Sequence, residues 1–163
     1  MEKNVVKNIL ADTDLRQNLI KLKGSMTSTD TLEGPIVEKL CDCLTHEDPK
    51  VRKNAALLLG YTKNPLMASV LLDAYKNEKK DFVKDAYLKG MSRYDCKRYI
   101  KELHEIQNEL MNSEVVDSKH IKAQLKVLNP MIRSYSYHKK KSIRLLHKEV
   151  DVILTTLPYY QYT

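Results

Sequence analysis

The strongest chemical pattern in the sequence is a segment near its C-terminus in which basic and aromatic side chains alternate. A run of three lysines lies between two arginines, with two tyrosines before the run: Arg133, Tyr135, Tyr137, Lys139, Lys140, Lys141 and Arg144. Cationic side chains neutralise phosphates and release counterions, and tyrosine rings stack on unpaired bases. The segment therefore predicts either contact with RNA or another nucleic acid, or a solvated basic connector whose rings rest on the preceding helices.

Charge is distributed unevenly along the chain, which carries 28 Lys and Arg against 21 Asp and Glu. Residues 1–48 hold 6 basic and 9 acidic side chains, residues 49–118 hold 13 and 10, and residues 119–163 hold 9 and 2. Attraction to a polyanion depends on local charge within about a Debye length. We therefore expect an anionic partner to bind the C-terminal third, although a Lys-rich surface also serves solubility.

The sequence shows none of the common motifs of enzyme chemistry. It has no Gly-rich phosphate loop, no Gly-x-Ser-x-Gly elbow and no Cys and His set with zinc spacing. Cys41, Cys43 and His46 are close in sequence, but residues two apart on a helix point to different faces. Both cysteines are therefore expected in the core or at its border. No catalytic residue, metal or cofactor is predicted.

Composition bounds the class of protein and its compartment. Hydrophobic residues make up 42% of the chain, with only 4 Gly and 5 Pro, which excludes a disordered or collagen-like protein. No apolar run is long enough to span a membrane, and the first twenty residues lack the shape of a signal peptide. With an odd number of cysteines, these features predict a cytoplasmic protein with no membrane partner.

Helix start and stop signals divide the chain into short helices. N-cap residues are expected at Asp12, Asp48, Asn64, Asp95 and Ser118, and apolar residues between the caps recur at helical spacing. The predicted helices cover residues 2–10, 13–23, 35–46, 49–60, 65–77, 80–91, 95–112 and 118–128. Short turns join them in pairs, apart from a polar loop over residues 25–33.

An internal repeat accompanies these helices. A shift of 36 residues aligns 12–24 with 48–60 and matches five residues, among them Arg16 with Arg52 and Asn18 with Asn54. A shift of 31 then places 82–86 under 51–55, with the apolar, basic and small positions in order. Each period is one helical hairpin, which cannot bury its apolar face alone. Such hairpins are expected to stack into an all-α, right-handed solenoid.

The stretch 48–60, DPKVRKNAALLLG, resembles the second helix of a HEAT repeat in its Asp-Pro entry, Val-Arg pair, small residues and Leu-Gly end. The resemblance covers about residues 1–128. It implies a right-handed α-α superhelix of about four hairpins. It does not imply one activity, because HEAT-like arrays serve as protein scaffolds, nucleic-acid binders and occasionally enzymes.

The resemblance also assigns roles to basic residues in the repeats. The arginine after the valine is expected to pair with the aspartate at the turn, which would link Arg52 to Asp48 and Arg16 to Asp12 in a ladder. Other cations are less constrained and are expected either to line the concave surface or to face water: Lys53, Lys84, Arg93, Lys97 and Arg98.

The residues depart from the patterns of two HEAT-like enzyme families. A di-iron hydroxylase family uses repeated His-Glu pairs inside its helices, whereas His46 and Glu47 lie at a turn and Arg52 and Lys53 occupy the ligand positions. A DNA glycosylase family holds DNA in a basic groove with Trp side chains and an acidic catalytic residue. This chain has no Trp. The glycosylase nevertheless remains an alternative function.

The last residues read differently from the helices. The stretch 149–157 is rich in β-branched residues and predicts a short strand. Residues 151–158 are also similar to the opening strand of RNA methyltransferase domains. Residues 129–163 are therefore predicted to form a basic connector and possible strand, where a second domain would begin after a HEAT-like domain over 1–128.

Together these patterns predict a non-catalytic binding module for RNA or another nucleic acid, which would serve as the recognition region of a larger RNA-modifying protein. The alternative is a scaffold that binds a protein partner on its concave face.

Overall fold

The computed structural model describes residues 3–113 and 118–135. Within these residues the chain forms eight helices: α1 (Lys3–Leu10), α2 (Leu15–Ser25), α3 (Pro35–Asp42), α4 (Pro49–Leu59), α5 (Met67–Asn77), α6 (Asp81–Met91), α7 (Ile100–Met111) and α8 (residues 119–135). Short 3₁₀ turns at Cys43–Thr45 and Lys97–Tyr99 precede α4 and α7. The prediction of an all-α fold is confirmed. The predicted strand at 149–157 lies outside the described residues, as do Tyr137, Lys139, Lys140, Lys141 and Arg144.

The helices pair into successive hairpins that stack as a solenoid. Within hairpins α1 packs on α2, α3 on α4 and α5 on α6, and between hairpins α2 packs on α4, α4 on α6 and α1 on α3. Asn129 of α8 accepts a hydrogen bond from Gln107 of α7, which joins the last pair. We call α1, α3, α5 and α7 the first helices and α2, α4, α6 and α8 the second helices. One continuous apolar core runs between the two sets.

The pattern of burial fixes the register of the repeat. The shift of 36 superposes the buried Leu15, Asn18 and Leu22 on the buried Val51, Asn54 and Leu58. Both asparagines donate through Nδ2 to the carbonyl four residues earlier. The predicted shift of 31 is wrong by one residue, because it would place exposed Lys89 at the position of Leu58. A shift of 32 instead aligns the starts of α4 and α6 and superposes their buried positions.

Several predicted caps are confirmed by their hydrogen bonds. The carboxylate of Asp48 accepts from the Lys50 amide at 2.8 Å, and the hydroxyl of Ser118 accepts from the Ile121 amide at 3.1 Å. Asp12 is not an N-cap. Its backbone has a positive φ of 55°, and α2 begins later, after Asp14.

Helices α4 and α6 approach each other unusually closely at Gly90. A Cβ atom on Gly90 would lie 2.5 Å from the carbonyl oxygen of Ala56 and 3.0 Å from Cδ1 of Leu71. Glycine is therefore required here by the space between the helices. This contact sets the spacing of two neighbouring second helices.

Helix α8 continues beyond the predicted end at residue 128. Pro130 lies within the helix with its ring exposed, and Met131 and Ile132 after it are buried in the core. Proline removes one helical hydrogen bond and normally ends a helix. Here the burial of the two following apolar side chains offsets that loss, so that Arg133 and Tyr135 belong to α8.

Candidate functional site

The cysteine and histidine cluster is structural. Cys43 is buried, and Cys41 is half-buried with its Sγ 3.7 Å from the Sδ of Met67, which confirms the predicted place of both at the core. Burial raises the pKa of Cys43 to about 11, so its thiol stays protonated at neutral pH. Nδ1 of His46 accepts a hydrogen bond from the Asp48 amide and thereby stabilises the turn before α4.

Arg52 joins two repeats through a partner that differs from the predicted one. Its Nε lies 2.7 Å from Oε2 of Glu78, and its second nitrogen donates to Oε1 at 3.0 Å. The remaining nitrogen donates to the carbonyls of His46 and Glu47. The predicted partner Asp48 instead caps α4. Glu78 takes its place because the turn between α5 and α6 brings a buried carboxylate to the guanidinium.

The predicted pair of Asp12 and Arg16 is also wrong. Asp12 Oδ2 lies 2.6 Å from Nζ of Lys39, a residue of α3 in the next hairpin. Arg16 is exposed on α2 and lines a surface depression. Both aspartates of the expected ladder therefore have other partners.

The two sets of helices differ strongly in net charge. The second helices carry 12 Lys and Arg against 2 Asp and Glu, whereas the first helices carry 5 against 6. Only α6 contributes acidic residues to the second helices, Asp81 and Asp85, and the latter contacts His120 of α8 at 3.0 Å. One side of the hairpins is therefore strongly basic.

The first feature of this basic side is a depression between α2 and α4 that reaches α6. We call it the lysine depression; its lining comprises Arg16, Ile20, Lys23, Lys50, Lys53, Asn54 and Phe82. The half-buried ring of Phe82 lies below Lys53, whose Nζ is 6.0 Å from the ring centroid. Four cations and one aromatic ring thus meet at a single junction of three helices.

Lys23 is held in place at this junction. Its Nζ donates to Oδ1 of Asn54 at 2.8 Å, and the Asn54 amide in turn donates to the backbone of α4. Partial burial and the nearby charge of Lys53 lower the pKa of Lys23. Cations placed close together without an acidic partner favour the binding of an anion, which would relieve their repulsion.

A second depression adjoins the first and shares Lys23 with it. We call it the tyrosine depression; its lining comprises Lys23, Leu57, Tyr61, Lys89, Ser92 and Arg93. The guanidinium carbon of Arg93 lies 3.9 Å from the centroid of the Tyr61 ring. The pair offers a flat, cationic surface at the ends of α4 and α6.

The structure brings together some of the predicted concave cations and separates others. Lys53 and Arg93 line the two adjoining depressions. Lys84 instead lies with its Nζ 5.2 Å from the ring centroid of Tyr75. Lys97 and Arg98 are exposed on the 3₁₀ turn before α7 and line neither depression.

Helix α8 presents its own basic stripe. Its exposed residues recur every three or four positions, and four of them are Lys119, Lys122, Lys126 and Arg133. Tyr135, which was expected to stack on a base, packs against the protein instead. Its half-buried ring packs against the core, and its hydroxyl accepts a hydrogen bond from the Cys96 amide at 2.7 Å. Tyr135 therefore anchors α8 to the turn after α6.

Sequence reasoning missed several cations of the basic side. Lys23, Lys50 and Lys89 were not singled out, nor were Lys119 and Lys126 of α8. A helical count extended past Pro130 identifies the stripe of α8, because its basic residues follow the helical period. The meeting of Lys23 with Lys53 could not be found this way, since they are thirty residues apart and the packing of α2 on α4 brings them together.

The described lining of both depressions contains no Asp or Glu. No group of three or more His, Cys, Asp and Glu among residues 3–113 and 118–135 could hold a metal ion. In the same described ranges no helix is long and apolar enough to cross a membrane.

Residues 4–92 match the model of the family described as HEAT repeats. Because the match covers more than half of the chain, the protein belongs to the HEAT-repeat family. No curated protein and no solved structure is significantly similar to the chain.

Proposed function

We propose that this protein is a helical-repeat binding module whose ligand is nucleic acid, held on the basic second helices. The observation that carries the proposal is the separation of charge between the two sets of helices. A polyanion gains attraction along the whole basic side and meets few carboxylates there.

The placement of the cations supports contact with a phosphate backbone. Arg16, Lys50 and Lys53 converge on one depression, and the stripe of α8 adds further exposed cations. Contacts of this kind hold the backbone without reading base sequence. The basic segment with Lys139, Lys140 and Lys141 follows α8 in the chain and is proposed to add further phosphate contacts. An association with an RNA-modifying domain remains a prediction from residues outside the described ranges.

Fluorescence anisotropy of a labelled 20-nucleotide RNA, measured across a salt series, tests the proposal. The variant R16A/K50A/K53A should bind more weakly at low salt. The slope of log affinity against log salt concentration should be smaller in magnitude by about 2, because each phosphate contact contributes about 0.7 to that slope for a single strand.

A matched control comes from the first helices. The variant K7A/K76A/K101A loses the same three charges from exposed positions on α1, α5 and α7. It should keep the affinity and salt dependence of the wild type. Equal losses in both variants would show that net charge alone drives binding, and no binding by the wild-type chain at low salt would contradict the proposal.

A protein partner is the second candidate, favoured by a groove on the first helices between α3 and α5. Apolar side chains of Leu32, Val37 and Met67 line it, and Glu38 and Asp42 add negative charge. An apolar groove with acidic residues suits an amphipathic basic segment of another protein. Substituting Val37 with Asp would weaken such a complex and leave RNA binding unchanged, which separates the two candidates in one binding assay.

A further inference from the structure

We infer that the lysine and tyrosine depressions form one binding site for single-stranded nucleic acid, in which Lys23 contacts the backbone between two bases. The inference rests on the proposed function and adds the form of the ligand. Its basis is that each depression, at the junctions of α2, α4 and α6, combines several cations with one aromatic ring, and that both depressions share Lys23.

Each depression combines cations with one aromatic ring. Phe82, the only phenylalanine in the chain, lines the lysine depression, and Tyr61 lines the tyrosine depression. Both rings are half-buried, so that each is fixed by packing while part of it is accessible. Rings of this kind stack on bases with little dependence on sequence.

The cations lie where they would assist stacking. Arg93 is close to the ring of Tyr61, and a guanidinium plane is itself a surface on which a base can stack. Lys53 lies over Phe82 at a greater distance, 6.0 Å from its centroid, which leaves more of that ring's surroundings open. Each aromatic ring therefore has a cation over one face, and at Tyr61 the covering guanidinium plane itself offers the stacking surface to a base.

Lys23 connects the two depressions. It lines both, and its hydrogen bond to Asn54 holds the ammonium group at their common wall. A phosphodiester bound there would have one nucleotide on each side. Two ring-containing depressions that share one cation thus match two neighbouring nucleotides joined by one phosphodiester.

A duplex cannot use this site in the same way. Its bases are stacked and paired, so they reach a side chain only after unpairing, which costs a few kcal/mol for each flipped nucleotide. A duplex would therefore gain affinity from contacts between its phosphates and the cations, but none from stacking on the aromatic rings. The site should bind a single strand more tightly than a duplex of equal length.

The test compares a labelled single-stranded 20-mer of uridine with a 20-base-pair duplex, using the full chain at low salt. Two variants, F82L and Y61L, keep apolar bulk and remove the rings, and Y61F serves as a matched control that keeps the ring. Each leucine variant should lose about 5- to 150-fold in affinity for the single strand. Affinity for the duplex should stay unchanged, and Y61F should bind like the wild type.

Three results separate this inference from the proposed function. A wild-type chain that binds both nucleic acids equally well would overturn the inference and leave the proposed function standing. The same holds if F82L and Y61L, folded by circular dichroism, keep full affinity for the single strand or lose both ligands equally. Failure of the wild type to bind either nucleic acid would overturn both.

Discussion

Arg52 is the residue that most clearly couples one repeat to the next. Its guanidinium contacts the carboxylate of Glu78 and two backbone carbonyls of the turn before α4. Glu78 also accepts hydrogen bonds from the amides of Lys79 and Lys80, at the start of α6. Because both charges are largely buried, removing one leaves the other without its partner.

Burial favours the neutral form of Glu78, but the Arg52 guanidinium and the two amides outweigh it and hold the pKa of this carboxyl below its ordinary value of 4.5. A carboxyl with a lowered pKa in the folded state stabilises the protein above its unfolded-state pKa, and this contribution is lost as the pH falls through the folded-state pKa. The contribution of Glu78 is therefore complete at neutral pH and declines below about pH 4.5.

We predict that E78Q lowers the free energy of unfolding by about 1.5–3 kcal/mol at pH 7, the range for hydrogen bonds to charged groups. Urea denaturation at a series of pH values measures this difference. The gap between wild type and variant should shrink as the pH falls below about 4.5. A gap that stays constant down to pH 3 would contradict the assigned role of the ionised carboxylate.

At the scale of elements, the spacing of the second helices depends on their closest contact. Gly90 of α6 meets the backbone of α4 at Ala56, where a Cβ atom has no room. Gly60, the residue that follows α4, also lies against the Gly90 backbone. Since α4 and α6 form walls of both depressions, this contact also sets the width of the candidate site.

We predict that G90A destabilises the protein by about 1–3 kcal/mol, the usual cost of forcing an extra group into a packed interior. The matched control is G24A in α2, where an added Cβ meets nothing within 4 Å. That change should be neutral or stabilise by up to about 1 kcal/mol through helix propensity. Thermal unfolding of both variants measures the difference, and equal stabilities would show that α4 and α6 can separate at no cost.

Helix α8 depends on Tyr135 for its attachment to the turn after α6. We predict that Y135F, which leaves the Cys96 amide without its acceptor, costs about 1 kcal/mol. Hydrogen exchange should show faster exchange of the amides near Cys96 and in the last turns of α8, while those of α4 are unaffected. Unchanged exchange near residue 96 would mean that this hydrogen bond contributes nothing to the position of α8.

The helices themselves were predictable because local signals specify them. The Asp-Pro start of α4 and the cap at Ser118 gave correct starts, and apolar spacing gave the buried faces. The partners of charged residues were not predictable, since Arg52 meets Glu78 only after α5 and α6 pack on α4. Pro130 was misleading for the same reason: its local effect is real, but the burial of Met131 and Ile132 outweighs it.

At the scale of the whole molecule, the basic segment with Lys139, Lys140 and Lys141 follows α8 in the chain, and residues 119–135 of α8 carry four Lys and Arg and no Asp or Glu. We predict that K139A/K140A/K141A weakens RNA binding at low salt and reduces the magnitude of the slope of log affinity against log salt by about 2. Anisotropy titration of this variant against K7A/K76A/K101A measures the effect at equal net charge. Unchanged binding would restrict the binding surface to the helices and leave the tail as a solvated connector.

The two depressions lie on junctions between hairpins, not within one hairpin. Their walls come from α2, α4 and α6, so any bending of the solenoid moves Lys23 relative to Phe82 and Tyr61. A strand that occupies both depressions would act as a brace across neighbouring hairpins and stiffen the array. Conversely, a force that straightens or bends the solenoid would move the two depressions relative to each other. The affinity for a strand that spans both would then depend on the curvature of the array.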